Sequence, residues 1–306
     1  MSIVFLGTTD FAAAILERLA SEEAHRPALV LTRPDRPRGR GRRLASPPVA
    51  ERARELGLEL AQPQSVNDEQ TRSQIADLAP EAVVVCAFGA LIKEPLLSSQ
   101  ELLNVHPSLL PRWRGAAPIE RAIMAGDEQA GVSIMRLTAG LDSGPVCLTA
   151  SEPLQAEDTY GSLAARLEVL GGDLLLQVLA QKASGQAPAF VEQDESGVTY
   201  AEKIESEDRL LDPARPAREL ERVVRALHPH VGARAELDEG AFLGVREATL
   251  YDGETDPKQR GVHTHEGKLL LVSVDGALEL RRVQPPGGRA MDAESYLRGR
   301  GAPGRA

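Results

Sequence analysis

An α/β fold is predicted for this chain: a mostly parallel sheet with flanking helices, followed by a small C-terminal β-barrel of OB-like size. Three observations predict it. Short apolar runs alternate with helical stretches through the first two thirds of the sequence, as right-handed βαβ units require. From Gly232 onward, five strand-like runs follow one another with only turn residues between them. The chain has 306 residues, 42% of them hydrophobic, which is enough for two domains with cores of their own. The expected division is a first domain over 1–189, a linker over 190–209 and the barrel over 210–306.

Ser2–Leu6 is a short apolar run ended by Gly7, the pattern of a buried parallel strand. Thr9 or Asp10 can cap the next helix, whose Phe11, Ile15 and Leu19 recur every four residues. Ala28–Leu31 reads as a second strand, Pro47–Leu56 as a helix opened by prolines, and Ile75 and Leu78 lie on another helix. Ala82–Cys86 and Leu102–His106 are the strongest strand candidates, and Val132–Leu137 and Val146–Leu154 follow. Asp158 can cap a long helix carrying Leu163, Leu167, Leu170, Leu174 and Val178 on one side. The result is a Rossmann-like order, whose ligand crevice lies beyond the carboxyl ends of the strands. Ser184–Arg209 is rich in Gly, Pro and charge. A helix near Pro216–Leu227 then leads to runs at Gly232–Leu237, Phe242–Leu250, Gly261–His265, Leu269–Val274 and Ala277–Val283.

Composition excludes several classes. No uninterrupted apolar run reaches the roughly 18 residues of a membrane span. The N-terminus lacks a basic region or cleavage site, so no secretory signal is expected and the cytoplasm fits. Cys86 and Cys147 are the only cysteines, both among apolar neighbours, as reduced core thiols would be. Gly7-Thr8-Thr9-Asp10 lacks the later glycines of a dinucleotide fingerprint. The pairs His228/His230 and His263/His265 lack the further ligands of a metal site, so none is expected. The net charge is −10, yet Arg33–Arg43 carries +5 and Arg281–Ala306 carries +4. Such local concentrations suit a polyanion, although a charge run is as readily a solvated loop.

The chemistry concentrates at Asn104, His106 and Asp142. Residues two apart on a strand share a face, so Asn104 and His106 project side by side from one strand end. Pro107 stops the strand there. Asp142, 36 positions after His106, lies in a Gly-rich loop that can bring a carboxylate to the pair. His106 alone would more simply be a satisfied core histidine. An amide, an imidazole and a carboxylate together can hold an oxyanion and move a proton.

Asn104-Val105-His106-Pro107-Ser108-Leu109-Leu110-Pro111-Arg112-Trp113-Arg114-Gly115-Ala116-Ala117-Pro118-Ile119, with Gly131–Met135 and Leu141-Asp142-Ser143-Gly144, resembles the signature of the folate-dependent formyltransferases. The arginine segment and Thr199-Tyr200-Ala201-Glu202-Lys203-Ile204 narrow the resemblance to members whose acceptor is initiator methionyl-tRNA. Thr9 departs from the proline expected there. The resemblance implies 10-formyltetrahydrofolate as co-substrate, with Asn104, His106 and Asp142 catalytic. It also implies that Ser108, Leu109, Leu110 and Pro111 contact the folate, and that Phe88, Gly89 and Leu91 help form its pteridine pocket. Without it, Phe88 and Leu91 read as core. Arg36, Arg38, Arg40, Arg42 and Arg43 would meet the acceptor end of the tRNA, and a monomer is expected. Whether Asp142 orients the imidazole, takes the proton, or both, stays open. Relatives that formylate glycinamide ribonucleotide or nucleotide-sugar amines, or hydrolyse formyl-folate, carry a similar trio. An RNA-binding protein with a silent site is the rival of another class.

Overall fold

The computed structural model describes residues 1–38, 43–237 and 240–300. Arg40 and Arg42 of the expected tRNA-binding set therefore lie outside the described residues. Two compact units are present. The first consists of Met1–Gly115, Gln129–Glu152 and Ala164–Tyr200. The second consists of Ala116–Glu128, Pro153–Leu163 and the described residues from Ala201 on. The expected cut points at 189 and 210 describe a continuous division, whereas the units interleave along the chain.

In chain order the elements begin with β1 (Ile3–Gly7), α1 (Asp10–Ala20), β2 (Leu29–Leu31), β3 (Arg36–Arg38), β4 (Arg43–Ala45), α2 (Pro48–Glu55), β5 (Leu60–Ala61) and α3 (Glu69–Asp77). They continue with β6 (Ala82–Cys86), α4 (Leu96–Ser99), β7 (Leu102–His106), β8 (Arg114–Gly115), α5 (Pro118–Ala125), β9 (Gln129–Arg136), β10 (Val146–Pro153), α6 (Tyr160–Ala183) and β11 (Tyr200–Ala201). The seven-stranded sheet has the order β10-β9-β7-β6-β1-β2-β5. β1 pairs in parallel with β2 and β6, β2 with β5, and β6 with β7. The chain works outward from β1 to β5, then restarts on the other side at β6. That reversal opens a crevice at the carboxyl ends of β1, β6 and β7.

β9 runs antiparallel to β7, with Asn104 opposite Met135 and His106 opposite Ser133. The sheet is thus mostly, not wholly, parallel. Thr9 caps α1, its side chain accepting from the Ala12 amide, and the helix buries Phe11, Ile15, Leu16 and Leu19. Burying each such side chain contributes about 2 kcal/mol. Gly7 ends β1 for a packing reason. A Cβ there would stand 2.7 Å from the Phe5 ring and 2.8 Å from Ala12 Cβ, so α1 could not lie so close. At the start of α6, Thr159 Oγ1 accepts from the Ser162 amide, while Asp158 instead takes the Ser162 hydroxyl and the Gln155 amide.

The second unit adds α7 (Ala217–Ala226), β12 (Ala233–Glu236), β13 (Phe242–Leu250), β14 (Gly261–His265), β15 (Lys268–Val272), β16 (Ala277–Gln284), β17 (Met291–Asp292) and α8 (Ala293–Arg300). Its sheet, in the order β12-β13-β16-β15-β14 with β17 on β16, is an antiparallel half-barrel. All five expected runs are strands. Register shifts in β13 between Val245 and Ala248 bend the strand and curl the sheet. Its core gathers Leu220, Val223, Val224, Leu243, Val245, Leu269, Leu271, Leu278 and Tyr296. α5, which no sequence pattern here singled out, belongs to this unit, where Arg121 grips Asp208 at 2.8 and 2.9 Å.

Candidate active site

Asn104 and His106 share one face of β7, while Val105 between them faces the other way, toward Gly171 of α6. The Asp142 loop reaches them. Asn104 Nδ2 lies 3.4 Å from Asp142 Oδ1, and His106 Nδ1 lies 3.7 Å from Asp142 Oδ2. The same Oδ2 accepts the Gly115 amide at 2.9 Å. The three expected catalytic residues converge. Asn104 is 7% exposed and His106 4%, while the Asp142 side chain is 14% exposed, so the carboxylate is the most open of the three.

The opposite edge of the imidazole is committed. His106 Nε2 lies 2.9 Å from the Trp113 carbonyl oxygen. A carbonyl only accepts, so Nε2 carries the hydrogen and Nδ1 is the nitrogen left facing Asp142. Asn104 keeps one N–H free of protein partners among the described residues and can donate it to substrate.

The loop geometry follows from its residues. Asp142 has φ +44°, in the left-handed region, where Asp is tolerated better than most residues. A Cβ on Gly144 would collide with the Arg136 carbonyl, so only glycine fits. Gln193 donates to the main-chain oxygens of Asp142 and Gly144 at 2.8 and 2.7 Å, and Arg114 Nε donates to Gln193 Oε1 at 2.9 Å. Arg114 is 3% exposed and is balanced by Glu195 at 2.8 Å. Sequence reasoning missed Gln193 and gave Arg114 no role. A buried guanidinium needs a partner, but its partners lie about 80 positions away and carry no local pattern. The stretch read as a linker from 190 thus supplies Gln193, Glu195 and Thr199 to the first unit, Thr199 Oγ1 accepting the Trp113 amide at 2.9 Å.

Of the residues expected to meet folate, Ser108 is buried and donates to the Arg112 carbonyl at 2.7 Å, and Leu110 N donates to Ser133 Oγ at 3.2 Å. Leu109 and Pro111 are half-buried. Phe88 packs in the core with Val4, Leu6 and Val85, whereas Leu91 is 68% exposed and Gly89 has φ +70°. In the arginine segment, Arg36 pairs with Ala45 and Arg38 with Arg43 in the antiparallel hairpin β3–β4, where Arg36 and Leu44 are exposed. Asp35 beside it is held below the usual carboxylate range, chiefly by the Gln62 hydrogen bond.

Other titratable groups fall outside the site. Burial pushes the Cys147 thiol up to about 11 and drives Cys86 higher still, so neither is a thiolate at neutral pH. His230 pairs with Glu120 at 3.0 Å. Among the described residues no group of three His, Cys, Asp or Glu is placed to hold a metal ion, and no helix is long and apolar enough to cross a membrane.

Residues 1–179 match the formyl transferase family model, and 203–301 match the model of the formyl transferase C-terminal domain. The methionyl-tRNA formyltransferase of Halorhodospira halophila is 44% identical over 97% of this chain and 96% of its own length. Among solved structures, HypX from Aquifex aeolicus in complex with tetrahydrofolic acid superposes with a TM-score of 0.65 at 17% identity, over 96% of this chain and 46% of that one. A methionyl-tRNA formyltransferase from Clostridium thermocellum gives 0.61 at 14% identity, over 83% of this chain and 95% of that one. At such identities the two structures report the fold.

Proposed function

We propose that this chain, which belongs to the formyl transferase family, moves a formyl group from 10-formyltetrahydrofolate to the free amino group of initiator methionyl-tRNA. The convergence of Asn104, His106 and Asp142 at the carboxyl end of β7 is the observation that carries this reading. The amine attacks the formyl carbon, giving a tetrahedral oxyanion, and loses a proton; as the oxyanion collapses back to a carbonyl, the bond from the formyl carbon to N10 breaks and N10 of the folate takes a proton. The free N–H of Asn104 donates to the developing oxyanion, a contact typically worth about 3 kcal/mol. His106, anchored through Nε2–H to the Trp113 carbonyl, offers Nδ1, which becomes a second donor when the ring is doubly protonated. Asp142, opposite Nδ1, orients the ring and, as the most open of the three, takes the amine's proton directly or through one water.

Ser108–Pro111 and the loop of Phe88, Gly89 and Leu91 are assigned to the folate. With Phe88 in the core, the exposed Leu91 is the apolar surface of that loop left for a ligand. Arg36, Arg38, Arg40, Arg42 and Arg43 are assigned to the acceptor end of the tRNA, where basic side chains stabilise splayed phosphates. Arg40→Ala then lowers kcat/KM for methionyl-tRNA and leaves folate binding intact. Residues 210–306, with Arg209 at their edge, supply backbone contacts without base readout. Burial first, and then the nearby Arg234 and Arg246, hold the Arg209 guanidinium below the usual arginine range. The protein works as a cytoplasmic monomer in this reading.

Acceptor competition tests the proposal. Purified chain is given 10-formyltetrahydrofolate with charged initiator methionyl-tRNA, glycinamide ribonucleotide or a nucleotide-linked amino sugar. Formyl transfer to methionyl-tRNA alone is expected. Transfer to either small amine, or release of formate without transfer, overturns the acceptor assignment.

A further inference from the structure

We infer that Gln193 and Arg114 form a clamp that sets the position of the Asp142 carboxylate, with Gln193 as its central positioning residue. The inference rests on the catalytic reading of Asp142 given above.

The bonds form a closed circuit. The Gln193 amide holds the Asp142 and Gly144 carbonyl oxygens at 2.8 and 2.7 Å, which fixes the loop's main chain on either side of Ser143. Its oxygen accepts Arg114 Nε–H at 2.9 Å. The residue after Arg114, Gly115, donates its own amide to Asp142 Oδ2 at 2.9 Å. The loop backbone is thus held from one side through Gln193, and the carboxylate from the other through Gly115, on one two-residue strand. The residue before Arg114, Trp113, holds His106 at 2.9 Å. Residues 113–115 therefore gauge the imidazole, the clamp and the carboxylate in succession. This strand is pinned in turn, since Arg114 N donates to the Thr199 carbonyl at 2.9 Å.

The circuit has one chemical sense. Arg114 Nε can only donate, and the two loop carbonyls can only accept. An amide satisfies all three, with one acceptor and two N–H groups. A carboxylate cannot. Gln193→Glu keeps size and shape and would pair with the Arg114 cation, but it sets an oxygen without a proton against two carbonyl oxygens. The substitution therefore keeps an anchor on Arg114 while releasing the loop. The loop has reason to relax when released, because Asp142 sits at φ +44°.

The prediction is a kcat loss without a matching loss of fold. Misplacing a reacting group by about 1 Å costs on the order of 100-fold, so Gln193→Glu is expected to lower kcat about 10- to 100-fold, with KM for 10-formyltetrahydrofolate within about 2-fold. In an Asp142→Asn background the same change is expected to cost less than about 3-fold, because the group it positions is already disabled. Equal fold-losses in both backgrounds overturn the clamp. A second measurement does not depend on turnover. Amide exchange at Gly115 is expected to rise about 10-fold or more in Gln193→Glu and Gln193→Ala, with Val84 and Val105 in the sheet unchanged. Unchanged Gly115 protection also overturns the inference, as does loss of cooperative unfolding in both variants, which would make Gln193 simply structural. If the wild-type chain formylates no methionyl-tRNA, the functional reading fails, while Gly115 exchange still decides the clamp.

Discussion

Asp142→Asn removes the carboxylate at the heart of the site while nearly keeping the side chain's size. The Asp142 carboxylate faces His106 Nδ1 at 3.7 Å, with the two side chains 14% and 5% exposed. Two unit charges at that separation attract by about 4 kcal/mol when the effective dielectric is roughly 20, as suits a mostly buried pair. Removing the carboxylate takes away both that attraction and the acceptor assigned to the amine's proton, and a loss of about a thousandfold in rate is expected. The variant's amide oxygen can still accept the Gly115 N–H, so the loop keeps its anchor. Its NH2 would then confront Asn104 Nδ2, a donor against a donor. Asn104 must turn its amide over, withdrawing the N–H assigned to the oxyanion, so the thousandfold loss is a lower figure. Single-turnover formyl transfer, with bound folate saturating, measures the step itself. A loss of less than about 10-fold with an unchanged melting temperature would refute the charge-coupling argument.

Further expectations use other parts of the molecule. Asn104→Ala should lower single-turnover kcat by about 10² to 10³, the usual cost of one oxyanion donor, with little change in folate affinity by titration. Glu168 has its pKa raised by burial first and by Asp10 second. A carboxyl with a raised folded-state pKa adds stability at low pH and loses it as pH rises, so Glu168→Gln should raise the melting temperature at pH 7 and give no gain near pH 4. Asp208 is held below its usual range chiefly by the Arg121 hydrogen bonds. Its contribution is present above the unfolded carboxylate pKa and fades as pH falls through the folded value. Arg121→Gln should then cost about 1 kcal/mol in denaturant unfolding at pH 7, after allowing for solvent screening, and progressively less in acid.

Strand positions were legible where burial on both faces writes a continuous apolar run: Ala82–Cys86 and Leu102–His106 match β6 and β7 end to end. Direction was not legible. Val132–Leu137 reads as a strand, but nothing local says that β9 returns antiparallel to β7, because that depends on the path taken through α5. α5 carried its own signals, Pro118 at its start, Ile119, Ala122 and Ile123 at helical spacing and Gly126 past its end, yet it is only eight residues long, too short for the period to stand out. β5 is two residues long and exists only through pairing with β2. The same division holds in the site. Asn104 and His106 share a strand face, a local rule, and Asp142 sits in a loop whose glycines announce close approach. Gln193, Arg114 and the Trp113 carbonyl enter through contacts over 7 to 80 positions, where the residue types alone give no warning.

His106, held by the Trp113 carbonyl and facing Asp142, is assigned a part in transfer of a formyl group to an amine. Its most direct test is the single-turnover rate of N-formylmethionyl-tRNA formation by wild type and His106→Ala under the same saturating folate. A loss of about 10² or more with folding intact is expected, the size seen when a group acting in proton movement or oxyanion stabilisation is removed. Equal rates in the two proteins would contradict it.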